Sequence, residues 1–229
     1  MKTLVNFLLL ITIFCMTTTA NAQNLTTADQ VLAAYFKALG GKKVLATLKD
    51  LSGEAVMGTN VFVTMKYKAP LKALIISDND KGQTLYKGVA DGQNVSIEMG
   101  TNKVPLSLAL IERGLFTYQI MPELYFDRKG VKSIFAGKET VDGKETYKLI
   151  HTIPDGLSWY TNYDTQTGLK VQVVVPNPTD KGEEITRYGD YRVVSGIKLP
   201  FMMYPGTGTM TIKAYRVNTG LSDAEFVVK

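Results

Sequence analysis

His151 is the single histidine of this chain and Cys15 its single cysteine. A two-histidine metal site and a paired-thiolate site are therefore excluded. His151 alternates with Leu149 and Ile153 in a strand-like run, which puts the imidazole on an apolar face and predicts a structural role. Ser158 follows in Asp155-Gly156-Leu157-Ser158-Trp159, but this is not the Gly-x-Ser-x-Gly elbow, and no helix follows to form the strained turn. Gly206-Thr207-Gly208 begins like a dinucleotide fingerprint; Thr211 stands where the third glycine belongs, and a strand follows. Carboxylate pairs remain countable, but Asp78, Asp80, Asp142, Asp180, Glu183 and Glu184 read as turn residues, where acids are solvated. No catalytic residue, metal site or cofactor is expected, and the chain is not expected to be an enzyme.

The methionines have a softer chemistry. Met57, Met65, Met99, Met121, Met202, Met203 and Met210 are unbranched and polarisable, which suits ordinary core packing or the wall of an adaptable apolar site. Trp159, close to Tyr160 and Tyr163, suits a rim where the ring packs and the N–H meets water. The net charge of +5 comes mainly from scattered lysines lying near acids, so no nucleic-acid partner is expected.

These residues must be held by two kinds of element. Thr27 with Gln30 spells a capping box, and Val31, Leu32, Tyr35, Phe36 and Leu39 recur at helical spacing until Gly40-Gly41. A second short helix is expected from Lys42 to Lys49, and a third from Ser107 to Arg113 within the apolar 105–126 segment. From Leu51 the period becomes two, and Asp91-Gly92, Asp142-Gly143, Thr167-Gly168 and Ser195-Gly196 punctuate the runs. Ten or eleven strands fit, mostly hairpin-connected. The expected fold is mainly β with a few helices (α+β), a large curved antiparallel sheet. It forms an incomplete β-barrel whose concave face is covered by the N-terminal and mid-chain helices.

Before that fold, Lys2, the apolar Leu4–Met16 run and Ala20-Asn21-Ala22 predict a cleaved signal peptide over 1–22. Phe14 spoils a lipid-anchor motif at Cys15. A single domain over 23–229 is expected, exported, with no stable transmembrane insertion.

Tyr35-Phe36-Lys37-Ala38-Leu39-Gly40-Gly41, Tyr67-Lys68-Ala69-Pro70, the hairpin from Val141 to Leu149, Asp164-Thr165-Gln166-Thr167-Gly168-Leu169, and Tyr188-Gly189-Asp190-Tyr191 leading to Leu199-Pro200 occur in order. Together they resemble the bacterial outer-membrane lipoprotein-sorting proteins, the group of the periplasmic lipoprotein carrier LolA. The chain departs from that pattern where the carrier places an arginine in an early strand. Here Lys66, Lys68 and Lys72 stand in those strands, and the first arginine is Arg113.

The resemblance implies an unclosed barrel around an apolar cavity. It also implies a periplasmic carrier that binds acyl chains of lipoproteins or other lipids. The inward strand faces would be Val61, Val63, Met65 and Tyr67; Val95, Ile97 and Met99; and Phe201 with Met203. Leu32 and Phe36 would belong to the lid, and Lys68 would meet a head group at the mouth. A monomer is expected. The rival reading is a protein-interaction module of an envelope complex, with envelope proteins as partners and the core filled by its own side chains.

Overall fold

Thr27 accepts from the Gln30 amide while the Gln30 side chain reaches back to the Thr27 amide, so the capping box forms as expected. It opens α1 (Ala28–Leu39), which Gly40 ends in a left-handed conformation. A Cβ at Gly40 would stand 2.3 Å from the Gly196 carbonyl oxygen, so both φ and space demand glycine there. The second helix, α2 (Lys42–Leu45), is a single turn and stops short of Lys49. This computed structural model describes residues 24–154, 156–177, 182–206 and 208–228; the expected signal peptide with Cys15, together with Asp155, Asp180 and Thr207, lies outside them.

Thirteen strands follow among the described residues. They are β1 (Asp50–Met57), β2 (Val61–Lys68), β3 (Lys72–Asn79), β4 (Thr84–Asp91), β5 (Val95–Met99) and β6 (Asn102–Lys103). After the mid-chain helix α3 (Leu108–Thr117) and two 3-10 turns come β7 (Lys132–Val141), β8 (Lys144–Thr152), β9 (Ser158–Asp164) and β10 (Lys170–Pro176). The last are β11 (Glu183–Val194), β12 (Ile197–Tyr204) and β13 (Met210–Val217). The count exceeds the expected ten or eleven because β6 has only two residues and others, such as β4, lack clean alternation; neighbours recruit them through backbone pairing.

All pairings run antiparallel in one sheet, ordered β6-β5-β4-β3-β2-β1-β13-β12-β11-β10-β9-β8-β7. β6 and β7 are its two edges, so the barrel is incomplete, as expected from the sequence. The chain between these edges carries α3 and the 3-10 turns, which therefore cross the open side. Ser107 caps α3, accepting from the Leu110 amide, and the helix runs to Thr117, a turn beyond Arg113. Gly114 lets α3 approach β5, since a Cβ there would lie 2.9 Å from Val95 Cγ1. On the other side Phe116 stacks on Trp159 at 5.1 Å, and Glu112 accepts from the Leu157 amide at 3.2 Å. α1 packs further along the same face, with Tyr35 5.0 Å from Tyr163 of β9.

The convex side is closed by the C-terminal segment. Buried Asp50 accepts from Thr219, Gly220 and Leu221, and Phe226 sits with Leu74 and Val89 in a small satellite core. No helix among the described residues is long and apolar enough to cross a membrane.

Candidate functional site

Between α3 and the concave sheet lies a cavity of about 700 Å³. That volume falls within the range of small-molecule sites. Its apolar wall is built from strands on both flanks: Val61, Ile97 and Met99 from one side, and Trp159, Val173 and Val175 from the other. Leu110, Gly114, Phe116 and Tyr118 of the α3 segment form the roof. Leu85 and Met99 line the cavity yet are 44% and 58% exposed, so the mouth lies at the β4–β5 end.

The expected cavity residues separate by position. Val61, Ile97 and Met99 line the space. Val63, Met65, Tyr67, Val95 and Phe201 are buried in the packed core, and Met203, Leu32 and Phe36 pack against that core without reaching the cavity. One strand face thus begins as cavity wall at Val61 and becomes core by Met65. The roof comes from α3 rather than α1. Of the methionines, Met57 and Met99 line the cavity, while Met65, Met121 and Met210 are core. Trp159 is a buried wall residue and not a rim.

Lys68 turns to the convex side, where its ammonium lies 2.8 Å from both Asp223 and the Leu221 carbonyl. Lys66 pairs with Glu225, and Lys72 with Asp223 at 3.0 Å. These three lysines hold the C-terminal segment and do not line the cavity. Among the described residues, the cations that do are Lys170 and Arg113.

Lys170 reaches the cavity through a backbone irregularity. Strict alternation puts Lys170 on the face opposite Val173. In the sheet, Lys170 pairs with Tyr163 and Val173 with Thr161, and the register shifts between Lys170 and Gln172. That bulge restores Lys170 to the concave face. Its ammonium lies 2.6 Å from Glu123 Oε1, with both side chains at most 2% exposed. It also donates to the Ile120 carbonyl at 3.3 Å and faces the Tyr35 and Tyr188 rings at 5.4 and 5.5 Å. The Tyr163 hydroxyl donates to Glu123 Oε1 at 3.0 Å. Burial, and then the Glu123 charge, raises the Tyr163 and Tyr188 hydroxyls above the usual tyrosine range.

A second pair, Arg113 of α3 with Glu184 of β11, borders the same space. Glu184 is thus a strand residue bordering the cavity rather than a turn residue, and its side chain is exposed as expected. The Tyr86 and Tyr118 hydroxyls bond to each other between sheet and roof. The sequence reading missed Glu123, Lys170, Gln119 and Arg113 as cavity residues, and only Arg113 carried a signal there, as the first arginine in the chain.

His151 is fully buried. Its Nδ1 lies 2.8 Å from Ser133 Oγ, and its ring packs on Phe126 and Trp159. Ser158 instead bonds the His151 carbonyl and Thr152, so the neighbouring serine does not meet the imidazole. Burial, reinforced by the Lys170 charge, lowers the imidazole to about 3. The folded chain therefore keeps it neutral while the unfolded chain takes up a proton below its ordinary value. Stability should fall as pH drops from the unfolded value towards about 3. Between about pH 7 and about pH 5 the wild type is expected to lose about 2 kcal/mol more than His151→Gln, measured by urea denaturation of both proteins. Equal losses would show that the imidazole takes up its proton as readily in the fold as in the unfolded chain.

No protein-family model and no curated protein sequence matches this chain. Solved structures do. A DUF1329 family protein from Desulfovibrio piger has a TM-score of 0.57 at 14% identity, covering 89% of this chain and 98% of its own. A LolA superfamily protein from Nitrosomonas europaea has a TM-score of 0.55 at 10% identity, covering 89% of this chain and 99% of its own. At these identities the likeness shows the fold, which is LolA-like.

Proposed function

We propose that this chain is a periplasmic carrier that holds the acyl chain of a lipid or lipoprotein in its half-barrel cavity, without covalent chemistry. The observation that carries the reading is the cavity of about 700 Å³, walled by Val61, Ile97, Val173 and Val175 and roofed by α3. Each buried methylene contributes about 0.8 kcal/mol, so such a space supplies enough affinity for a tail to leave water. The LolA-like fold supports the same reading, and the apolar mouth at Leu85 and Met99 suits entry of a tail.

The rival reading, an envelope interaction module with a self-filled core, is weakened by the size of that space. Release requires α3 to move. α3 is held by Phe116 against Trp159 as well as by Glu112 to the Leu157 amide and by the Arg113–Glu184 pair, so its movement separates buried rings as well as polar contacts.

The test uses protein purified without detergent. Organic extracts are expected to contain lipid by mass spectrometry, and Val173→Trp should remove most uptake of the uncharged fluorophore N-phenylnaphthylamine while the circular dichroism spectrum is kept. A lipid-free wild type that takes up no fluorophore would favour the interaction module.

A further inference from the structure

Resting on the carrier reading, we infer that the deep end of the cavity binds an uncharged, hydroxyl-bearing head group, so that a neutral glyceride-type amphiphile enters head first. Glu123 and Gln119 both line the cavity and both are buried. Glu123 Oε1 is taken by Lys170 and Tyr163, but Glu123 Oε2 has no hydrogen-bond partner among the described residues. Gln119 Nε2 is likewise buried without a partner. An unmet acceptor and an unmet donor lining one cavity are costly unless something supplies the complement. Hydroxyls suit both, since one can donate to the carboxylate and one can accept from the amide.

Charge decides against the ionic head groups. Among the described residues the cavity's two cations already face carboxylates, Lys170 with Glu123 and Arg113 with Glu184, and only Arg113 Nε is left without a hydrogen-bond partner. A fatty-acid carboxylate or a phosphate would bring an uncompensated anion towards Glu123. An ammonium would bring a second cation beside Lys170. A neutral head leaves both pairs intact. Direction follows from exposure: the Glu123–Lys170 end is closed by Tyr35 and Tyr163, whereas the apolar mouth lies at Leu85 and Met99. The tail therefore trails towards the mouth.

Displacement of N-phenylnaphthylamine by monoolein and by oleate at mildly alkaline pH tests the inference, since the two share one tail and differ in the head. Monoolein is expected to displace the fluorophore at about tenfold lower concentration, and Gln119→Leu should reduce that preference roughly fivefold, the equivalent of one hydrogen bond. Oleate equal to or better than monoolein on wild type would overturn the head-group assignment while leaving the carrier reading standing, and this comparison holds even if Gln119→Leu fails to fold. A folded Gln119→Leu protein with unchanged preference would also overturn it. No fluorophore uptake by lipid-free wild type would remove both.

Discussion

Lys170→Met is expected to destabilise the protein by about 3–5 kcal/mol, while Lys170→Met combined with Glu123→Leu should recover most of that loss. The asymmetry comes from burial. Both side chains are at most 2% exposed, so removing the ammonium leaves a buried carboxylate with one hydroxyl donor, Tyr163. Removing both charges abolishes the desolvation cost together with the attraction, and apolar side chains of similar size can pack beneath Tyr35. A double-mutant cycle in urea measures the coupling directly. A single-mutant loss below about 1 kcal/mol would mean that the pair behaves like a solvent-exposed one. It would also mean that the deep end of the cavity is wet, which would weaken the basis for a polar head group there.

The second large effect separates core from cavity along the concave face. Met65→Glu is expected to unfold the protein or cost more than about 4 kcal/mol, because Met65 is 2% exposed and packed over Gly53 beside Tyr215. Ile97→Glu places the same charge on the wall of a cavity open at Met99, where water can solvate it. That variant should stay folded, lose about 1 kcal/mol, and lose fluorophore uptake. Circular dichroism melts and fluorophore titration of the two proteins read both effects. Wild-type uptake by a folded Ile97→Glu protein would place the ligand elsewhere.

The period-two runs and their Asp-Gly and Ser-Gly turns were enough to call for an antiparallel sheet, and Thr27, Gln30 and Gly40 were enough to bound α1. These are local physics: side-chain alternation, cap chemistry and glycine's backbone freedom act within a few residues, so they can be read along the chain. The apolar setting of His151 was legible for the same reason. The site was less so. Alternation says which side of a strand a residue takes, not how far away the opposite wall stands. Val61 and Met65 therefore looked equivalent, although one lines a cavity and the other fills a core. Lys68 looked available at a mouth until the C-terminal segment folded back to pair with it. Lys170 was assigned the wrong face by strict alternation, because a bulge shifts its register by a residue that no local pattern marks. Its partner Glu123 arrives from the segment bridging the sheet's two edges. A lone charge in an apolar run carries no sign of burial until a distant opposite charge meets it, and only tertiary packing brings those two together.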